Sequence, residues 1–385
     1  MAIINKIKSL VQHEGFRRYA ANTSWMMAEQ MLRIVAGLLV GIWVARYLGP
    51  EQFGLFSYVL AFTAIFAGIA KLGLDGILVR ELINHPQGRD VYLGTAFWLK
   101  IMGAFVVMAI MAAVVPFTSN DSTTNLYIFI IAAGLVFQSF EVVEFYFQSQ
   151  VLAKVVSICK VIQLALSSAI KVYLVLAQAD LFWFVCVTAF DTVSLAISYL
   201  IAYRLVRNST FYQQFDCSIA KQILQDSWPM IFTVLATMIY MKIDQVMINE
   251  ILGKKEVGLY AASVRIYEAW LVIPFLISIS LLPAIVKRKS LEPAVYERDL
   301  SRLFAFVFWL SISVAIIVTF AGDFIVKITF GSEYENSTSV LVILIWAGAF
   351  SALGSVTARY LTVENKTKNL AFRMIVAMII NFCLN

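Results

Sequence analysis

Leu48-Gly49-Pro50-Glu51-Gln52-Phe53-Gly54-Leu55-Phe56 joins two long apolar runs, and Leu252-Gly253-Lys254-Lys255-Glu256-Val257-Gly258-Leu259-Tyr260 joins two more. Each matched position of the second stretch lies 204 residues beyond the first. Leu, Gly, Gly and Leu are identical, and Phe56 aligns with Tyr260. A helix that ends at a glycine can close in the left-handed cap conformation. Pro50, or the Lys254-Lys255 pair, cannot extend the apolar helix before it. The second glycine then lets the next helix start close against the first. Two such turns at equivalent places in two halves point to an internally duplicated membrane protein.

The composition outside the turns agrees. Of 385 residues, 61% are hydrophobic and 14% are charged, a balance that belongs inside a bilayer. A spanning helix needs roughly 20 predominantly apolar residues. By that measure spans are predicted over 22–46, 53–75, 91–117, 125–149, 153–177, 181–203, 228–251, 258–286, 303–329 and 339–358, with an eleventh beginning near 370. Loops between spans are short, the longest being 204–226 and 287–302. Ile3, Ile4, Ile7, Leu10 and Val11, interleaved with Lys6 and Lys8 and followed by Arg17 and Arg18, read as a short amphipathic helix on the cytoplasmic surface.

Basic residues fall in alternate loops. Lys6, Lys8, Arg17 and Arg18 precede the first span, Arg204, Arg207 and Lys221 follow the sixth, and Lys287, Arg288, Lys289, Arg298 and Arg302 follow the eighth. The positive-inside rule then makes the N-terminus cytoplasmic, and the net charge of +6 is a topology signal, not a nucleic-acid footprint. Six spans return the chain to the cytoplasm, so the halves are parallel repeats. The fold class expected is an all-α integral membrane protein of two six-helix lobes around a central cavity, divided as 1–206 and 207–385. The repeat would carry the second lobe past residue 385, so the last one to two helices are expected to be truncated.

Cations occur within or at the edge of spans: Arg33, Lys71, Lys100, Lys160, Lys171, Lys242 and Arg265. A charge at mid-bilayer costs about 2.5–3.5 kcal/mol even on a mild scale. Facing lipid, all seven would exceed the ~5–15 kcal/mol stability of a typical protein, so most must pair, snorkel or line a wet cavity. Glu29 and Arg33 are i, i+4, with Gly37 and Gly41 continuing that face, which reads either as a local pair above a glycine packing ridge or as a cation in the cavity. Lys160, Gln163, Ser167 and Lys171 share one face of the fifth span and suggest a cavity wall. Glu141, Glu144 and Gln148 form a stripe on the fourth, able to neutralise Lys160 and Lys171 or to couple protons. Lys71 and Asp75 are spaced for a local pair. Lys242 groups with Gln245 and Asn249, while Asp244 points elsewhere. Arg265 and Glu268 are i, i+3, and Pro274 and Pro283 predict a bend in the eighth span.

Nothing marks an enzyme. His13 and His85 have no nucleophile spaced to them, no GxxxxGK[ST] string occurs, and the four cysteines have neither metal nor disulfide spacing. No cofactor and no catalytic residue is expected.

The order of three stretches resembles the Wzx-type polysaccharide flippases, or O-antigen transporters, of the multidrug, oligosaccharidyl-lipid and polysaccharide exporter superfamily. They are Arg46-Tyr47-Leu48-Gly49-Pro50-Glu51-Gln52-Phe53-Gly54; Leu72-Gly73-Leu74-Asp75-Gly76 followed by Arg80-Glu81; and Ile243-Asp244-Gln245 leading through Gly253 to Val257-Gly258-Leu259-Tyr260-Ala261-Ala262 and Arg265. The resemblance covers essentially the whole chain. It implies a polyprenyl pyrophosphate-linked oligosaccharide as substrate, moved from the cytoplasmic to the periplasmic leaflet of the inner membrane by two rocking lobes. A polysaccharide polymerase and a chain-length regulator are possible partners, and membrane lipid surrounds the protein. On that reading Arg33, Lys242 and Arg265 contact the head group, with Lys160 and Lys171 next, and Asp244, Glu141 and Glu144 are candidates for a coupling ion. The alternatives are an ion-coupled multidrug exporter and, from another class, a membrane polysaccharide polymerase or ligase. The short periplasmic loops argue against the last.

Overall fold

The computed structural model describes residues 14–207, 209–286, 288–289, 292–363 and 376. Eleven α-helices follow in order: α1 (Glu14–Ala70), α2 (Asp75–Asn84), α3 (Arg89–Val114), α4 (Ser122–Phe137), α5 (Val142–Ser149), α6 (Ala153–Leu176), α7 (Leu181–Arg207), α8 (Cys217–Leu252), α9 (Lys254–Val286), α10 (Pro293–Thr329) and α11 (Ser337–Val363). There is no strand among the described residues. Among the described residues nine segments are long and apolar enough to cross a membrane, and the first of them, Asn22–Asn84, contains two of the expected spans. All ten predicted spans are thus helical. The eleventh, near 370, and most of the amphipathic N-terminal segment lie outside the described residues.

Both repeated turns form as their glycines predict. Gly49 leaves helical geometry at φ 69, and Pro50 begins the next stretch of α1. Gly253, at φ 94, is the single residue between α8 and α9. A left-handed residue is cheap only for glycine.

The contacts gather the chain into two compact units. The described residues up to Val40, with Phe62–Met238, form unit 1, and residues 41–61 with the described residues from 239 onward form unit 2. The 206/207 division read from the repeat concerns sequence equivalence, a different quantity from contact. In unit 1 the core collects Leu78 and Leu82 of α2, Leu93 and Phe97 of α3, Tyr146 of α5, Tyr199 and Tyr203 of α7, and Phe211. Tyr203 donates to Asp90 Oδ1 (2.6 Å), tying α7 to α3. The expected loop 204–226 is shorter than predicted. Asp216 Oδ1 accepts the Ser218 and Ile219 amides (2.7 and 3.0 Å), capping α8, and Ala220 and Ile223 are buried in the unit 1 core. Similarly α10 starts at Pro293, so most of the predicted 287–302 loop is helix.

In unit 2 the two copies of the turn pack on one another. A Cβ on Gly54 would run into the Lys254 carbonyl and lie 2.7 Å from the Gly258 amide nitrogen. A Cβ on Gly258 would run into the Pro50 carbonyl and lie 3.1 Å from the Gly54 nitrogen. Lys254 is the counterpart of Pro50, and Gly258 that of Gly54, so the contact is reciprocal. This corrects the expectation for the second glycine: what it admits is the other copy of the turn, not the preceding helix. A third turn joins them. Tyr334, between α10 and α11, donates to the Ala45 carbonyl (2.7 Å) and sets its ring edge-on to Phe53. Burial, with Glu333 adding to it, pushes the Tyr334 phenol far above its ordinary range, so it stays a donor. Elsewhere in unit 2, Ser263 donates to the Ser337 carbonyl (2.8 Å) and Tyr267 to Ser351 (3.1 Å), linking α9 to α11. Helix α9 is unbroken through Pro274 and Pro283, and Ser278 donates to the Pro274 carbonyl (2.7 Å).

Gly54→Ala and Gly258→Ala should each destabilise by about 1–3 kcal/mol or more, because backbone must move to admit the methyl. Gly37, with nothing within 4 Å of its Cβ position, should accept Ala without loss, since Ala is the better helix former. Thermal unfolding in detergent separates the two outcomes. Equal melting temperatures for all three variants would disprove the packed-glycine account.

Candidate functional site

One group of charged residues in unit 1 begins where α1 gives way to α2. Leu72 and Gly73 sit at positive φ (55 and 59) and interrupt the helix. The i, i+4 spacing of Lys71 and Asp75 is broken there, and the local pair predicted for them does not form among the described residues. Both instead line a cavity of about 480 Å³ with Glu141, Glu144, Gln148 and Lys160.

Between α4 and α5 a 3₁₀ turn, Gln138–Glu141, winds the backbone more tightly than an α-helix. Glu141 accepts Lys100 Nζ from α3 (2.8 Å), and Lys100 is only 3% exposed. Glu144 accepts three donors: Lys160 Nζ (2.6 Å), the Tyr199 hydroxyl (2.7 Å) and Gln148 Nε2 (3.2 Å). Lys171 pairs with Asp191 of α7 (3.1 Å), which also accepts from Ser167 (2.9 Å). The expected neutralisation of Lys160 and Lys171 by the α4–α5 acids is therefore half right. Glu144 meets Lys160, but Glu141 is taken by Lys100, and Lys171 finds its acid on α7.

Arg33 donates through Nε and Nη2 to Glu29 Oε1 (2.8 and 2.5 Å). It also lines a second cavity, of about 320 Å³, with Gln138, Glu141, Gln163, Asp191 and Tyr199. The local pair of Arg33 thus forms, the cavity it lines lies within unit 1, and the glycine ridge beyond it does not form. Gly37 has no neighbour, and the space at Gly41 is filled by the guanidinium of Arg265. Glu141 lines both cavities.

In unit 2, Glu268 lies 3.5 Å from Lys242 rather than beside Arg265. Asp244 accepts the hydroxyl of Tyr260, from the second repeated turn (2.8 Å). Arg265 is half-buried, packed on Gly41 and 5.4 Å over the Phe53 ring. Among the described residues no carboxylate lies within ion-pair distance of it. The residues singled out from sequence therefore fall into two sets: Arg33, Lys160, Lys171, Glu141 and Glu144 in unit 1, and Lys242, Arg265 and Asp244 in unit 2. Lys100 was visible as a membrane cation, but its pairing was not, and nothing in the sequence marked Tyr199. Among the described residues no three His, Cys, Asp or Glu side chains are placed to hold a metal ion.

Breaking the Lys100–Glu141 pair strands a buried ammonium. Glu141→Gln should cost about 3–5 kcal/mol of stability, and the double variant Lys100→Met, Glu141→Leu should recover most of it. Denaturation of the purified variants checks this, and a fully stable Glu141→Gln protein would show the pair to be dispensable.

Residues 19–289 match the family described as "Polysaccharide biosynthesis protein", and residues 229–385 match the family described as "MatE". The Shigella flexneri protein named "Putative O-antigen transporter" is 23% identical over 346 residues, covering 84% of this chain and 80% of that protein. An inward-facing multidrug resistance MATE family transporter of the MOP superfamily shares the fold with a TM-score of 0.61 at 15% identity, over 94% of this chain and 88% of that one. An outward-facing MATE transporter structure gives 0.52 at 16% identity, over 95% and 94%. The first match spans well over half of the sequence, so the chain belongs to the polysaccharide biosynthesis protein family.

Proposed function

We propose that the protein moves a polyprenyl pyrophosphate-linked oligosaccharide from the cytoplasmic to the periplasmic leaflet of the inner membrane by alternating access, with its N-terminus cytoplasmic. The observation that carries this reading beyond the family is Arg265, a half-buried guanidinium in a membrane helix with no carboxylate at ion-pair distance among the described residues. Sugar hydroxyls and a pyrophosphate cannot enter hydrocarbon unsolvated, because each unpaired polar group costs several kcal/mol. A guanidinium offers a fixed fork of donors to phosphate oxygens. At Arg265 an incoming phosphate displaces no acid, whereas Arg33, Lys160, Lys171 and Lys242 are each held by one. Arg265 is thus the first head-group contact, and the other four act once their acids are exchanged or protonated.

Of the three candidate coupling acids, Glu144 is best placed. It faces the larger cavity and shares its charge among Lys160, Tyr199 and Gln148, so gaining a proton would release all three. Glu141 and Asp244 stand behind it. A polymerase and a chain-length regulator would act on the delivered product.

A second reading, an ion-coupled multidrug exporter, is favoured by the match of residues 229–385 to the MatE family and by the acids of the unit 1 cavities. Proteoliposomes holding a polyprenyl pyrophosphate-linked sugar in both leaflets decide between them. Access of an external sugar-modifying reagent to all of the lipid, against half without protein, supports the flippase. Movement of a cationic dye with no movement of the lipid supports the exporter.

In that assay Arg265→Gln should slow flipping at least about ten-fold, the size of one lost charge-assisted hydrogen bond, without lowering protein yield. An unchanged rate would remove Arg265 from the site. Glu144→Gln should abolish stimulation by a pH gradient while leaving gradient-independent exchange measurable; a stimulation equal to that of the parent protein would shift the coupling role elsewhere.

A further inference from the structure

At the far end of unit 2 from its glycine turns, the close of α9 and the start of α10 enclose a hollow of about 370 Å³. Its walls are of two kinds. Leu281, Ile285, Leu303 and Phe306 form an apolar side, with Leu303 buried as the floor and Leu281 and Phe306 exposed along the rim. Arg288, Arg302 and Asp299 form the other side. The apolar end of α9 runs to Val286 and Arg288 follows, so the hollow straddles the point where apolar sequence gives way to charge.

The charges there do not cancel. Asp299 takes Arg288 at 2.6 Å and is also approached by Arg298 at 3.6 Å. Arg302 is exposed and has no carboxylate within ion-pair distance among the described residues. One acid thus serves two arginines and leaves the third, Arg302, without an acid beside an apolar groove. A soluble anion would use the arginines and leave exposed leucine and phenylalanine unused. An uncharged lipid would use the groove and leave Arg302 unused.

We propose that this hollow binds an anionic glycerophospholipid of the surrounding leaflet, its phosphate on Arg302 and Arg288 and one acyl chain against Leu281, Ile285 and Phe306. The volume lies within the range of small-ligand pockets, and basic pockets at helix ends attract anionic lipid head groups. The inference is independent of the transported substrate, since it rests on a surface of unit 2 that Arg265 does not line.

Native mass spectrometry of the full chain in detergent tests it, with phosphatidylglycerol and phosphatidylcholine titrated separately. Phosphatidylglycerol should bind preferentially, and Arg302→Gln should weaken it about five-fold, the effect of one basic residue near a membrane surface. Phe306→Ala should weaken it as well, by removing chain contact, while Lys255→Gln, a charge change elsewhere in unit 2, should leave it unchanged. Equal binding of the two lipids, or an Arg302→Gln protein that binds phosphatidylglycerol as before, overturns the proposal. So does displacement of phosphatidylglycerol by an equal concentration of polyprenyl phosphate, which would make the groove a seat for the polyprenyl lipid.

Discussion

The approach of Gly54 to Gly258 is the contact on which unit 2 is arranged. Backbone meets backbone there, with no side chain between, and each turn supplies both the space and the carbonyl that fills it. In a bilayer the hydrophobic effect does not press helices together, so close packing of small residues and internal hydrogen bonds carry more of the association. The contact also fixes what lies beside it. Phe53, beside Gly54, and Tyr260, two residues after Gly258, are the residues that touch Arg265 and Asp244. Arg265 and Asp244 are therefore each held by an aromatic residue of a glycine turn.

Unit 1 answers a different constraint. Its membrane charges are too many to leave facing lipid, and the helices accept them in graded ways. Lys100 is sealed against Glu141, Lys160 is paired but lines a cavity, and Lys171 is paired and partly exposed. A sealed pair is a structural element, costly to break and poor at exchanging protons. An open one can exchange partners. The same sequence feature, a lysine in a membrane helix, thus has two physical meanings, and burial separates them.

How much of this was legible in the sequence depended on whether the signal was local. The glycine turns, the ten spans and the Glu29–Arg33 pair rest on spacings within one helix or one turn, where period and backbone geometry decide. The Lys71–Asp75 pair failed because a local rule was applied across a helix break at Leu72 and Gly73. Glu141 and Lys171 were assigned wrong partners because the choice lies between helices, and a 3₁₀ turn of four residues changes which neighbour an acid meets. The early start of α8 was written in Asp216, a capping residue, but an apolar-run criterion for spans passes over caps. That Arg265 would lie on Gly41, more than two hundred residues away, was written nowhere in either stretch alone.

The reciprocity of the glycine contact has a consequence for how the chain can vary. An interface in which the same patch is used from both sides is the isologous arrangement usual between two copies of a subunit. Here it has been folded into one polypeptide, and the two patches are free to differ, as Pro50 and Lys254 do. They are not free to differ independently. Any change that thickens one turn must be met by the other, because each carbonyl occupies the room left by its partner's missing side chain. Two stretches 204 residues apart are thereby bound to change together, as if they were neighbours in the sequence.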